Sequence, residues 1–304
     1  MIIVFGSLNT DISFDVPHFP VAGETVAGET YRMSYGGKGA NQALAASRMG
    51  TKTVLIGCVG NDGMGMRIRN GMKREGVLVS GVAESQTLPT GIAMVTCTPD
   101  GQNNIMVATG ANAETHNDQV PDEILKTGSV ILMQMEVPVK QVCALALRGH
   151  ENSTRVMLNL APAKQIPEQV LMILDDLILN EIEAQQLAAQ LGITKDTPPA
   201  ELTKLLAKKC KLHCIITCAE NGVYGAKPDG SDALHVAALK LETVTDTTGA
   251  GDAFCGTYAA CIHDGKSFAE ALKYASIAGS LTCKKLGVQD ALPYLGDIQD
   301  YLEN

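Results

Sequence analysis

The chain has 304 residues, 45% of them hydrophobic, which suits one large α/β domain with a substantial core. Its formal net charge of −9, from 33 acidic and 24 basic residues, opposes binding to nucleic acid or to an anionic membrane surface. Nine cysteines within mostly apolar runs argue against a disulfide framework, and the first apolar run is too short for a secretion signal, so we expect a cytoplasmic protein that acts on a small molecule.

Short apolar runs alternate with stretches of helical spacing along most of the chain. The runs are typical of buried strands and lie at residues 2–5, 53–56, 130–133, 156–160, 177–179 and 214–217. Helical spacing is found at residues 40–48, 66–74, 139–147, 182–191 and 200–209. This alternation predicts a doubly wound, mostly parallel sheet flanked by helices, whose ligands bind at the carboxyl ends of the strands.

Two segments, residues 12–35 and 89–109, interrupt the alternation. The first is rich in Pro and Gly, and the second alternates apolar and polar residues on both sides of a turn at Asp100-Gly101. Both leave the main domain and return to it, so we expect a small β-sheet lid within a single domain spanning residues 1–304. An exposed apolar lid would be stabilised by a second copy, which predicts a homodimer.

The most informative stretch contains Gly249, Ala250, Gly251 and Asp252, followed by small apolar residues typical of a buried helix. Glycines allow close backbone approach, and a helix N-terminus presents free N–H groups and a positive dipole end, so we expect an anion there. Asp252 would repel that anion unless it accepts a proton from an attacking hydroxyl. From these residues alone, an ordinary glycine turn with a favourable first-turn acid remains the alternative.

No P-loop motif (GxxxxGKS or GxxxxGKT) and no GxGxxG motif occurs in the chain. P-loop NTPases are therefore excluded and a dinucleotide-dependent dehydrogenase is disfavoured. If the chain binds a nucleotide, it uses another loop.

Ordered motifs give the chain a family resemblance. They are GSLNTD (6–11), YGGKGANQA (35–43), VGNDGMG (59–65), QME (134–136), NLAPA (159–163), NEIEA (180–184) and DTTGAGDAF (246–254). With them the chain resembles the ribokinase family of sugar kinases, also called the phosphofructokinase-B family, over essentially its whole length. The resemblance implies transfer of a phosphoryl group from ATP to O5 of D-ribose, with Asp252 as the base. A kinase for 2-deoxyribose, another sugar or a nucleoside, and a non-catalytic sugar-binding protein, are the alternatives.

The resemblance also implies a sugar site. Its residues would be Asn9, Asp11, Gly37, Lys38, Asn41 and Glu136, together with Asp252. Asn9 and Asp11 would bind the 2- and 3-hydroxyls, and Glu136 the anomeric side. Without the resemblance, either acid is equally consistent with a helix cap or a solvated loop, and Lys38 with a surface ammonium.

A nucleotide site is implied at the other end of the cleft. Its residues would be Asn180, Glu183, Thr217, Gly222, Gly249, Ala250 and Gly251. Asn180 and Glu183 would hold Mg²⁺ and phosphate through water, although a capping box at a helix start explains the same spacing and does not exclude that role. The family usually has Gly at the position of Ala219, so this departure predicts weaker nucleotide binding.

The resemblance further implies an activating K⁺ ion beside the glycine loop. Asp246, the Thr248 carbonyl and the Gly287 backbone would hold it. Ala291 stands where the family commonly has a Ser hydroxyl, which predicts a weaker ion site.

Overall fold

The computed structural model describes residues 1–100, 102–194, 196–231 and 233–302. Its strands are β1 (Ile2–Phe5), β2 (Asn9–Asp15), β3 (Tyr31–Gly36), β4 (Thr53–Gly60), β5 (Leu78–Ser85), β6 (Gly91–Cys97), β7 (Asn103–Ala108), β8 (Val130–Met133), β9 (Arg155–Asn159), β10 (Asp176–Asn180), β11 (His213–Thr217), β12 (Val223–Ala226) and β13 (Leu234–Val236). Its α-helices are α1 (Lys38–Arg48), α2 (Gly63–Arg74), α3 (Val139–Glu151), α4 (Glu168–Leu171), α5 (Glu181–Gln190), α6 (Pro199–Cys210), α7 (Ala250–His263), α8 (Phe268–Thr282) and α9 (Leu295–Gln299).

The large sheet has the strand order β13-β12-β11-β10-β9-β8-β1-β4-β5. The strands from β11 to β5 run parallel, and β12 and β13 join as antiparallel strands at one edge. Alternate residues of β1 enter different cores: Ile2 and Val4 pack with α1, α7 and α8, whereas Ile3 and Phe5 pack with α3, α5 and α6. A sheet covered by helices on both faces is the predicted doubly wound architecture.

The pattern of short apolar runs identified the central strands better than the edges. Strands β1 and β8 have the predicted bounds, but β5, β12 and β13 gave no comparable run. β5 is an edge strand with only two buried residues among eight, and β13 has only three residues. Edge strands carry polar residues on their solvent sides, so their apolar signal is weak.

The second sheet is small, with the order β3-β2-β6-β7, and it forms from the two segments that interrupt the alternation. One expected boundary is wrong, because the sheet begins at Asn9 rather than at residue 12. Asn9 and Asp11 therefore lie in a strand of the small sheet, since β2 follows β1 after a break of only three residues. Gly101, at the predicted turn, lies outside the described residues.

The outer strand of this small sheet is apolar and exposed. Every residue of β7 is exposed, including Ile105, Met106 and Val107. In the described residues, no helix has the length and apolar character needed to cross a bilayer.

Candidate active site

The functional side chains converge at the carboxyl edge of the large sheet. Residues at or just beyond the ends of five neighbouring parallel strands meet there: Ser7, Glu136, Asn159, Asn180 and Thr217. The N-terminus of α7 closes the same edge, and the enclosed cavity of about 130 Å³ is lined by Lys38, Asn180, Glu183, Gly251 and Asp252, among others. The sequence predicted this edge, because parallel strands place their carboxyl ends together.

Asp252 lies in the first turn of α7, is 7% exposed, and has a hydrogen bond to each carboxylate oxygen. Asn41 Nδ2 donates to Asp252 Oδ2 at 2.9 Å, and Gln42 Nε2 donates to Asp252 Oδ1 at 2.9 Å. Burial raises the pKa of Asp252, while the Lys38 ammonium and these two amides oppose the increase. A carboxylate held in this way is oriented before any ligand arrives, and a raised pKa makes it a better proton acceptor.

A chain of buried amides supports the two donors. Gln134 Nε2 donates to Gln42 Oε1 at 2.7 Å, and Gln289 Nε2 donates to Asn41 Oδ1 at 3.1 Å. Gln42 Nε2 also reaches Asn159 Oδ1 at 3.1 Å. No role was predicted for Gln42, Gln134 and Asn159, although all three lie inside the family motifs. A motif shows which residues recur together, not which side chains touch.

The start of α7 fits an anion. Gly249 is the N-cap residue with φ +81°, a left-handed conformation that favours glycine, and no side chain caps the helix. In the described part of the chain, the N–H groups of Gly251 and Asp252 have no acceptor, whereas Ala250 N–H donates to Thr247 O at 3.3 Å. A methyl group at Gly251 would meet nothing within 4 Å, so there is open space beside it. The expected contribution of Ala250 is therefore smaller than that of its neighbours.

Asp11 occupies the opposite side of the cleft, and its Oδ1 is buried without a hydrogen-bond partner among the described residues. Its Oδ2 packs so closely on Gly36 that an added Cβ would lie 2.0 Å away. Burial and the negative charges of Glu136 and Asp252 raise the pKa of Asp11 to about 7. An unpaired buried carboxylate oxygen is costly unless a ligand satisfies it.

Glu136 and Asn9 are fixed by their neighbours. Ser7 Oγ donates to Glu136 Oε2 at 2.5 Å, and the Lys38 backbone N–H donates to the same oxygen at 3.1 Å. Asn9 Oδ1 accepts from Asn112 Nδ2 at 2.8 Å. Asn112 lies in a short 3₁₀ helix (Gly110–Glu114) that no motif marked, so only the tertiary structure shows its support of Asn9. Gly37 has φ +88° and connects β3 to α1, which places Lys38, the first residue of α1, at the cleft.

Lys38 links the two ends of the cleft electrostatically. Its side chain lines the cavity beside Asn180, Glu183 and Asp252. The charge of Asp252 raises the pKa of Lys38 most, with further increases from Glu136 and Glu183, although burial opposes them. The ammonium therefore remains charged at neutral pH among three carboxyl groups, where it can also meet an anion.

Asn180 and Glu183 form a reciprocal capping box at the start of α5. Asn180 Oδ1 accepts from Glu183 N at 2.8 Å, and Glu183 Oε2 accepts from Asn180 N at 2.9 Å. The capping box, which was the alternative explanation of this spacing, is therefore present. It leaves Glu183 Oε1 and Asn180 Nδ2 available at the cavity, and burial raises the pKa of Glu183.

The turn after β11 contains Ala219, the position at which the sequence departs from the family pattern. Thr217 lines the cavity, and Gly222 ends the turn with φ +87°. Ala219 adopts φ +46°, a left-handed conformation that is unfavourable for alanine. A glycine at this position would avoid that strain.

The three residues expected to hold a monovalent cation meet beside the glycine loop. Thr248 N–H donates to Asp246 Oδ1 at 2.9 Å, and Gly287 N–H donates to Asp246 Oδ2 at 3.1 Å. Ala291, 2% exposed, supplies no hydroxyl. The Thr248 and Gly287 N–H groups hold the Asp246 carboxylate, the side-chain oxygen ligand expected for the cation, in a fixed orientation.

Comparisons with known proteins identify the family of this chain. Residues 1–295 match the model of the pfkB family carbohydrate kinases. The chain is 30% identical to a ribokinase of Haemophilus influenzae over 99% of this chain and 98% of that protein, and 33% identical to one of Schizosaccharomyces pombe over 98% and 96%. An Arabidopsis thaliana ribokinase structure with ribose and ATP is 29% identical, covers 100% of this chain and 98% of its own, and superposes with a TM-score of 0.89. The chain therefore belongs to the pfkB family of carbohydrate kinases.

Proposed function

We propose that this chain transfers the γ-phosphoryl group of ATP to O5 of D-ribose, giving D-ribose 5-phosphate and ADP. The observation that carries the proposal is Asp252, held by two amides beside the uncapped start of α7. In this proposal a hydroxyl meets the phosphate at this carboxylate, and the free N–H groups face the charge that develops on the phosphate. Relatives named ribokinase with near-complete coverage support ribose as the acceptor.

The chemistry follows from these groups. As O5 attacks phosphorus in line, Asp252 accepts the hydroxyl proton, the O5–P bond forms, and the bond from phosphorus to the β-phosphate oxygen breaks. The N–H groups of Gly251 and Asp252 and the Lys38 ammonium stabilise the transferring group. Each is in place without the substrate, so little reorganisation is needed.

Sugar selection is assigned to the small sheet. Asp11 Oδ1, buried and unpaired among the described residues, would accept a hydrogen bond from a ribose hydroxyl, with Asn9 held alongside by Asn112. Glu136 keeps Oε1 for the anomeric side, because Ser7 and the Lys38 N–H occupy Oε2. A sugar that lacks the hydroxyl leaves Asp11 unpaired, which disfavours 2-deoxyribose.

Two cations complete the proposal. Glu183 would hold Mg²⁺ through water at the phosphates, where the ion neutralises charge on the transferring group, and Asn180 Nδ2 would donate to a phosphate oxygen. Asp246, Thr248 and Gly287 would hold K⁺ behind the glycine loop, and the missing hydroxyl at Ala291 predicts weak affinity for it. Both assignments rest on the donor atoms present and on the family resemblance.

The small sheet would close over the sugar as a lid and pair with the sheet of a second copy. Exposed apolar residues on it support this: Tyr31, Met33, Met94, Ile105, Met106 and Val107. Covering such a surface is favourable, and two-fold pairing is the commonest way. Sedimentation of the purified chain at micromolar concentration measures the assembly, and a monomer would contradict it.

The test of function is an ADP-release assay over pentoses, hexoses and nucleosides, each with and without K⁺. We expect the highest kcat/KM with D-ribose, a large loss with 2-deoxyribose, and stimulation by K⁺. A higher kcat/KM with a nucleoside or a hexose would replace ribose as the acceptor. Measurable ribose binding without ADP release from any sugar would indicate a non-catalytic binding protein.

A further inference from the structure

A second cavity lies behind the strand that carries Asn9 and Asp11. Its volume is about 360 Å³, and it is enclosed by β2, β3, α1, α2 and the loop 287–290. Side chains alternate along a strand, so Thr10 faces this cavity while its neighbours face the sugar cleft. The volume is within the range of small-ligand sites.

Two exposed arginines at this cavity have no partner among the residues that the structure describes. Arg67 and Arg74 lie two turns apart on α2, and both line the cavity, with Gly71 between them on the same face. Neither makes a hydrogen bond or an ion pair with any residue that the structure describes. Unpaired arginines around a concavity are suited to binding an anion.

The other charges leave a positive balance. Arg48 also lines the cavity, but it is bound to Glu75 at 3.1 Å and to the backbone oxygens of Gln289 and Leu292. Arg48 and Glu75 therefore offset each other. Asp290 is the remaining acid at the wall, so the two free arginines outweigh it by one charge.

A buried hydroxyl supports the same ligand chemistry. Thr10 is 2% exposed, and its Oγ1 has no hydrogen-bond partner in the described part of the chain. Ser34 and Tyr35 bring further hydroxyls to the wall, and the rest of the lining includes apolar side chains such as Leu44 and Val288. A buried hydroxyl without a partner is unusual in a folded chain, and a ligand oxygen would satisfy it.

We propose that this cavity binds a small phosphate monoester, with its phosphoryl oxygens on Arg67 and Arg74 and its organic part beside the hydroxyls of Ser34 and Tyr35. Planar guanidinium groups match phosphoryl oxygens, and the volume accommodates more than the phosphoryl group. The site is separate from the nucleotide cleft, since none of its lining residues borders the cavity at Asp252.

The test is calorimetric titration of the full chain with glycerol 3-phosphate and, in a second arm, with inorganic phosphate. The double variant Arg67→Gln/Arg74→Gln is compared with Lys73→Gln, which removes a charge from the same helix away from the cavity. We expect the double variant to bind glycerol 3-phosphate about 100-fold more weakly than Lys73→Gln does, because each charge-assisted hydrogen bond contributes about tenfold or more.

Anion binding at the nucleotide cleft is common to both variants, so the difference between them reports the second cavity. Tighter binding of glycerol 3-phosphate than of inorganic phosphate would support recognition of the organic part by Ser34 and Tyr35, whereas similar binding of the two would overturn the monoester assignment. Equal isotherms for the double variant and Lys73→Gln, or no binding of glycerol 3-phosphate to the wild type, would overturn the proposal. Melting curves verify that both variants are folded.

Discussion

The two ends of the cleft treat their carboxylates in opposite ways. At the phosphate end, both oxygens of Asp252 are bound by buried amides. At the sugar end, Asp11 Oδ1 is buried without a partner in the described residues. The first arrangement orients a reactive group in advance, and the second keeps a binding group unsatisfied until the correct ligand arrives. Reaction and selection are thus assigned to different elements, α7 and the small sheet.

The largest expected effect is at the phosphate end. Asp252→Asn removes the proton acceptor, and we expect kcat to fall about 10²- to 10⁴-fold while sugar affinity changes little. Steady-state kinetics and calorimetry with ribose measure the two quantities separately. Asp118→Asn, at an exposed carboxylate, is the control. Turnover near the wild-type rate in Asp252→Asn would remove Asp252 from the mechanism.

A smaller effect is expected at the sugar end, mainly on binding. Asp11→Asn should weaken ribose binding about 10- to 100-fold at pH 8, because it removes a charged acceptor. The pKa of Asp11 is raised to about 7, so wild-type binding should strengthen as pH rises through 7, and the variant should lack this dependence. Calorimetry at pH 6 and pH 8 tests both, and an equal pH dependence in the variant would contradict the assignment.

The raised pKa of Asp11 has the opposite consequence for the stability of the fold without ligand, which should fall as pH rises. Between pH about 4, the ordinary value, and pH about 7, the folded carboxyl holds a proton that the unfolded one has lost, so this group makes the free energy of unfolding decrease as pH rises. Without ligand, Asp11→Asn should therefore be more stable than the wild type at pH 8 and show less difference below pH 4. Chemical denaturation at the two pH values measures this.

Substitutions in the amide chain around Asp252 can show whether these amides position the carboxylate or only fill space. Gln42→Leu removes the donor to Asp252 Oδ1, so the pKa of the base should rise and the acid limb of the kcat profile should move to higher pH, with kcat about tenfold lower at pH 7. Gln134→Leu is the matched control, because it also breaks the amide chain but leaves both donors to Asp252. Equal shifts in the two variants would show that general destabilisation is the cause.

The smallest effect is expected at Ala219, where the phosphate end is strained. Ala219→Gly relieves φ +46° and should stabilise the fold by about 0.5–1 kcal/mol after the entropic cost of glycine. Glu220→Gly, at a neighbour without positive φ, should destabilise the chain instead. Thermal melting compares the two, and a loss of stability in Ala219→Gly would contradict the strain argument.

The sequence predicted the main sheet because central strands and their helices carry long periodic signals that depend on local residues. It missed β5, β12 and β13, which have no comparable apolar run. It also placed the start of the small sheet three residues late, because Asn9 and Asp11 are polar and the strand they begin pairs with β3 and β6, which come later in the chain. Strand pairing across such distances is a tertiary property.

Asp252 and the glycine loop stand out in the sequence itself, and the family motifs add the acids and the Asn residues of the cleft, because each motif keeps its residues at fixed spacing at the end of a strand or the start of a helix. Only the tertiary structure decided that Gln42 and Asn41 hold Asp252, that Asn112 holds Asn9, and that Arg67 and Arg74 border a cavity behind β2. These contacts join side chains from separate elements, and their geometry depends on how helices pack on the sheet, which no local pattern encodes.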